Sequence, residues 1–151
     1  MDDLQQLLTP LLRGTVVTVQ LAVLSTLFGG ILSFAAGIGK LSDNWLIRGL
    51  SIIYIEIFRG TSLLVQMFWL FFALPLIGVS LDPFVAGVAA LSLNIGAYGA
   101  EVVRGAIQAV PVGQYEAATA VNFTRRYTLW NVVLPQALVE MMPPFGNLVV
   151  Q

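Results

Sequence analysis

Hydrophobic positions run through this chain in long blocks. Residues 14–38 carry no charge, and neither do residues 60–81, a block rich in Phe, Leu and Trp. A third block starts at Pro83, is uncharged as far as Ala100 and extends to 103; a fourth covers 135–151, interrupted by Glu140, Pro143 and Pro144. Apolar blocks of roughly 18 residues or more are long enough to cross a hydrocarbon core of ~30 Å as helices. Between the first two blocks, Leu46, Ile47, Leu50, Ile53, Tyr54 and Ile57 recur at helical spacing, with Arg48 and Glu56 among them. That pattern predicts an amphipathic helix at the membrane interface, or the lower part of the second span. The chain is therefore read as all-α, a polytopic transmembrane helix bundle in one domain over 1–151. The fourth block reaches Gln151 with no basic stop and no polar tail, so the domain is expected to be cut short at its C-terminal end.

Composition removes the alternatives. Of 151 residues, 58% are hydrophobic and 10% charged, whereas a soluble domain has about 25% charged residues. Too little polar surface is available for an ordinary soluble enzyme. Cysteine and histidine are both absent, which excludes a disulfide, a thiol nucleophile, a histidine triad and a usual zinc site. The eight acids are scattered, so no metal or catalytic residue is assigned. A net charge of −1 without a basic run argues against nucleic acid as a partner. Residues 1–13 open on two acids rather than a basic segment, so no cleaved signal peptide is expected.

Charge also sets an orientation. Lys40 and Arg48 flank the loop after the first span; Arg104, Arg125 and Arg126 flank the loop after the third. Arg59 is counted with these five, against Arg13 on the other side. By the positive-inside rule the N-terminus is outside, and loops 39–48 and 104–127 are cytoplasmic.

The 104–127 loop has a structure of its own. Pro111 and Gly113 break the helix of the third span. Good helix formers follow over 114–121, with Ala117, Ala118 and Ala120 small enough for another backbone to come close. Asn122 tolerates a left-handed conformation and ends that helix, and Arg125 and Arg126 stand near its free carbonyls. A short helix on the cytoplasmic face, small on one side, has the shape to dock into a groove of a soluble partner.

Glu116, Ala117 and Ala118, followed at fixed spacing by Asn122, Val132, Leu134 and Pro135, resemble the EAA motif of ABC-importer permeases. Two further blocks, Tyr98 to Ile107 and Phe58 to Gln66, resemble the polar amino acid branch of that family. The resemblance runs from about Gly14 to Asn147. Asn122 stands where the family usually has glycine, and Ser62 where it has proline; both residue types suit their positions, as a left-handed turn and a helix cap. Family members continue through a further span beyond these residues.

The resemblance implies a type I importer permease in a bacterial inner membrane, coupled through Gly113, Glu116, Ala117, Ala118 and Asn122 to ATP-binding subunits. It implies a second permease subunit, identical or related, and an extracytoplasmic solute-binding protein. Its solutes would be polar amino acids (glutamine, histidine, arginine or cystine) or a compatible solute such as ectoine. No Gly-rich phosphate loop with its Lys-Ser/Thr is present, so ATP hydrolysis is assigned to the partners and no cofactor to this chain. A membrane anchor or assembly subunit without its own path is the alternative; a secondary transporter or channel half is a third reading, which wants an internal repeat.

Polar residues within the spans are the candidates for a solute path. Asn94 lies deep in the third span beside Gly96 and Gly99; Gln66 and Gln20 are the others. Glu101 with Arg104, and Glu56 with Arg59, are each three apart and read as helix-end pairs. Thr15, Thr18, Ser25, Ser33 and Ser92 read as packing residues. Gly29, Gly30 and the Ala35–Ala36–Gly37 run read as tight helix contacts.

Overall fold

The computed structural model describes residues 2–150, with side chains over 9–148; Gln151, the end of the fourth expected span, lies outside them. Among the described residues every regular element is helical. Helix α1 runs over Asp2–Lys40, α2 over Trp45–Gly60, α3 over Leu63–Phe68, α4 over Pro83–Ala109, α5 over Val112–Ala120, α6 over Arg125–Thr128 and α7 over Leu134–Val150. Helix α3 continues through a π turn, Trp69–Ala73, and a 3₁₀ turn, Leu74–Ile77; a second π turn, Leu129–Val133, joins α6 to α7.

Two helices are long and apolar enough to span a membrane, Thr9–Lys40 and Pro83–Ala109. They run in the same direction and pack closely. The contact is built on small residues at four-residue spacing. A Cβ on Gly29 would lie 2.7 Å from Ile95 Cγ2, and one on Gly37 2.7 Å from Val103 Cβ and 2.8 Å from the Ala100 carbonyl oxygen. Between them, Ser33 donates to Gly29 O at 2.7 Å and to Ile95 O at 3.4 Å. Small side chains let two backbones approach where lipid supplies no hydrophobic drive. Gly30 borders open space and Ala35 is exposed, so only part of each expected small-residue run lies in the contact.

Helix α2 runs antiparallel to both. Ile55 is fully buried, the Tyr54 hydroxyl donates to Leu93 O at 2.7 Å, and Ser51 lies against Gly39. It is thus packed into the bundle on one side, and together with Leu63–Ile77 it has the length and apolarity of a span. The block 60–81, expected as one span, is not one: α2 and Leu63–Ile77 meet at 104°. Thr61 and Ser62 are extended there, and a helix cannot continue through two extended residues.

Arg59, counted with the cytoplasmic cations, stands at the far end of α2 instead, because α2 carries the chain back between the two long helices. Helix α4 continues to Ala109, so the expected loop loses its first residues. The break falls at Val110 and Pro111, and Gly113 lies inside α5. At the end where α1 and α4 finish, Lys40 Nζ bonds Glu101 Oε1 at 2.6 Å and Arg104 reaches Glu101 Oε2 at 2.8 Å. Of the two expected three-apart pairs, Glu101–Arg104 forms, whereas Glu56–Arg59 does not come within ion-pair distance. Glu101→Gln is expected to leave both cations without a counter-charge and lower stability by about 1–2 kcal/mol, less than for a fully buried pair because Lys40 and Arg104 keep some water. A thermal unfolding scan of the purified protein in detergent checks it; an unchanged midpoint would show that the clamp does not hold α1 to α4.

The exposed face of α1, with Val16, Val23, Leu27 and Ile31, and that of α3, with Leu64 and Phe68, are large apolar surfaces, as lipid contact requires. The principal core gathers Val103, Ile107, Val133, Ala137 and Met141 from α4 and the α6–α7 segment.

Candidate functional site

The break after α2 exposes backbone that must find partners. Thr61 Oγ1 donates to Ile57 O at 2.8 Å. Gln66, one turn into α3 and 6% exposed, turns back and donates Nε2 to Phe58 O at 2.8 Å, Thr61 Oγ1 at 2.9 Å and Thr61 O at 3.2 Å. Its own oxygen accepts from Asn94 Nδ2 at 3.3 Å. Asn94 and Gln66 are thus brought together, but Gln66 is spent on stapling the break. Ser62 occupies the N-cap position of α3, yet its side chain makes no capping bond; the backbone bond from Gln66 N to Ser62 O at 3.0 Å starts that helix.

Beside this break lies a cavity of about 650 Å³. Helix α1 lines it with Thr18, Ala22 and Ser25 among others, and α4 with Leu91, Asn94 and Tyr98; Thr61, Ser62 and Leu63 at the break and Leu148 of α7 lie in the wall too. Asn94 stands roughly 17 Å of helix from the start of α4 and 22 Å from its end, so the cavity is near mid-depth. Gln66 is not in the wall. Gln20 is exposed on α1 and also outside it; the structure does not bring it to the site.

The hydroxyls divide into two groups. Thr15, Thr18, Ser33 and Ser51 each donate to the carbonyl four residues back. Ser25 and Ser92 are buried with no partner, and Ser25 is in the cavity wall. Thr18 and Ser25, expected as packing residues, and Tyr98, given no path role by the sequence, thus stand in the cavity wall beside Asn94. The available signal was a stripe at helical spacing, Thr18, Ala22 and Ser25 on α1 and Leu91, Asn94 and Tyr98 on α4.

A second candidate region lies at the opposite end of the bundle from Pro83. Helix α5 stands beyond the ends of α1 and α4. Gln114, Glu116, Ala117 and Ala120 face outward, while Ala118 is 4% exposed and faces the bundle. The expectation that Ala117 and Ala118 both face a partner is thus half corrected, since residues one apart on a helix point about 100° from each other. The helix begins at Val112, two residues before the expected 114, so Glu116 is the fifth residue of nine. Asn122 has φ 60° and ends the helix in the left-handed region.

Side-chain bonds tie α5 and the turn after it to the rest of the bundle, among them one from Gln136 Nε2 on α7 to Gln114 Oε1 at 3.4 Å. The Tyr115 hydroxyl donates to Ile107 O on α4 at 3.1 Å. Past the turn, Arg125 holds Asp43 in the α1–α2 loop at 2.5 and 2.6 Å. Burial raises the Tyr115 pKa from its ordinary value, against an opposing pull from Arg125. Among the described residues no group of acids could hold a metal ion.

Two helices long and apolar enough to cross a bilayer, a helix broken beside a polar cavity and a short helix beyond the bundle's end are features of a helical membrane protein. Residues 29–151 match the family of binding-protein-dependent transport system inner membrane components, and the chain belongs to that family. It is 62% identical over 98% of its length to a probable amino-acid ABC transporter permease protein, y4tF, of Sinorhizobium fredii, and 41% identical over 97% to the L-cystine transport system permease protein TcyB of Bacillus subtilis. It spans 65% and 63% of the length of these two relatives. A crystal structure of an amino acid ABC transporter with histidines superposes with a TM-score of 0.82 at 33% identity, covering 94% of this chain and 70% of that one.

Proposed function

We propose that this chain is the membrane-spanning permease subunit of an ATP-driven importer for polar amino acids, set in a bacterial inner membrane with its N-terminus outside. The observation that carries the reading is α5, a nine-residue helix outside the bundle, at the end where Lys40, Arg104 and Arg125 gather. On this reading α5 docks ATP-binding subunits through Gly113, Glu116 and Ala117, with Ala118 seating it on the bundle and Asn122 ending it. A second permease subunit and an extracytoplasmic solute-binding protein complete the assembly. The named relatives speak for amino acids; none of them speaks for ectoine or another compatible solute.

The chain's work is then mechanical. Closure of the ATP-binding subunits moves α5. The Tyr115–Ile107 bond passes that movement to α4, and the Arg125–Asp43 pair passes it to the α1–α2 loop. The cavity beside Asn94 is alternately open to each side, and ligands shift the balance only by binding one state better than the other.

Cysteine labelling tests orientation and docking together, because the chain has no cysteine. A Gln114→Cys variant of the full-length protein should react with an impermeant maleimide from the cytoplasmic face alone, and bound ATP-binding subunits should block the reaction. Labelling from outside would overturn the orientation. Labelling unaffected by the bound subunits would remove α5 as the dock.

A further inference from the structure

We infer that Gln136 is a positioning residue that grips α5 and makes α7 a second bar between the dock and the mid-depth cavity. The assignment rests on α5 being the dock proposed above. Gln136 is exposed on the first turn of α7. Its Nε2 donates to Val132 O, in the π turn just before, at 2.8 Å and to Gln114 Oε1 on α5 at 3.4 Å. An amide NH₂ has two hydrogens to give, one for each acceptor. The shorter bond fixes the direction of the amide, and the longer one crosses to a separate helix.

The base of α7 departs from regular helix at this point. In the π turn Leu129–Val133 the hydrogen bonds run five residues back, as Leu134 N does in donating to Leu129 O. Pro135, next in the chain, has no N–H to add. Single π turns recur at functional sites within helices. Asn131 Nδ2 donates to Tyr127 O at 3.1 Å, so side-chain amides brace the irregular stretch at both ends.

From that base α7 runs to the cavity. Leu148 is in the cavity wall, about 18 Å along the helix from Gln136. Between them Ala137 and Met141 are buried against α4; one is small and the other flexible, which suits packed helices that slide by small amounts. Helix α4 is the other bar: Ile107 O accepts from Tyr115 of α5, and Leu91, Asn94 and Tyr98 reach the cavity. Two bars held to α5 at separate points shift unequally when α5 tilts, and the cavity at their far ends changes width.

The chain has no cysteine, so a single reporter can be placed on each bar, Leu148→Cys on α7 and Leu91→Cys on α4. The full-length permease, assembled with its ATP-binding subunits in detergent, is labelled with a small water-soluble maleimide without nucleotide and again with ATP and vanadate. Each reporter should change its labelling rate by about fivefold or more, the lower end of ordinary coupling between sites. Gln136→Leu should remove that change at Leu148→Cys and keep it at Leu91→Cys, with the ATP-binding subunits still bound. Combining Gln114→Glu with Gln136→Lys re-forms the link as an ion pair and should restore the response. An undiminished change at Leu148→Cys in Gln136→Leu overturns the grip and leaves the dock standing. Loss at both reporters overturns the separate bar, because Gln136 then seats α5 as a whole. Failure of the paired substitution to restore the response overturns the grip too, since the loss then comes from the bond to Val132 and not from the reach to α5. A parent in which neither reporter responds overturns the dock and the inference together.

Discussion

Tryptophan at position 118 is expected to abolish coupled transport while leaving the spans inserted. Ala118 sits on the buried side of α5 with 4% of its surface exposed, and its carbonyl accepts from Phe123 N at 3.0 Å in closing the helix. An indole there has no room, and relief comes by lifting α5 from the bundle. Overpacking of this kind costs typically ~1–3 kcal/mol, a shift of about 5–150-fold between seated and unseated helix. Nine residues form no stable helix alone, so a lifted α5 loses its shape as well as its place. Ala117→Trp makes the contrast, because Ala117 is exposed: α5 stays seated and only the partner is obstructed. Pull-down of the ATP-binding subunits and ATP-dependent uptake in vesicles are the measurements, with membrane yield as control. Should Ala118→Trp bind and transport at the parent level, α5 is not the coupling element.

Gly37→Val should be the most damaging single change within the spans, lowering stability by about 3 kcal/mol or more. The first carbon added meets Val103 Cβ at 2.7 Å and the Ala100 carbonyl oxygen at 2.8 Å. A side chain can rotate away from a clash, but a carbonyl inside a helix cannot, so α1 and α4 must separate. Their separation also pulls at Ser33 and at Lys40 of the Lys40–Glu101–Arg104 cluster, each about one turn from Gly37. Gly30→Val supplies the control: nothing lies within 4 Å of its added carbon, and its effect should be near zero. Thermal unfolding of the two purified variants in detergent decides it. Equal midpoints would mean that close packing at Gly37 contributes nothing.

The long helices were legible because lipid imposes a simple rule, uninterrupted apolar length, and residues 14–38 and 83–103 obey it. The same rule misled at 60–81. Hydropathy sees the apolar character of Leu63 to Ile77 but not the two extended residues before it, and the break persists because Gln66 turns back to satisfy it. Gln66 was picked out from sequence as a path residue, and its distinguishing chemistry is real; what three-dimensional contact adds is that its amide is already committed to Phe58 and Thr61. Asn94 reached the cavity and Gln20 did not, since a lone polar residue on an apolar helix carries no label for the face it occupies. On α5, residue types indicated the closing turn at Asn122, whereas the inward turn of Ala118 depended on where the helix begins.

Lys40 and Glu101 are separated by 61 residues, and that interval gives the clamp a history. A chain growing at ~5–20 residues per second spends roughly 3–12 s between making one and making the other. Throughout that interval Lys40 is an unpaired charge at the trailing end of the first span, and on the proposed orientation it holds that end in the cytoplasm during insertion. When α4 arrives alongside, the same ammonium gains its carboxylate and becomes a fastening between two finished helices. On that proposed orientation one side chain serves biogenesis first and architecture afterwards, and its replacement is expected to disturb the direction of threading before the Glu101 contact exists to be lost.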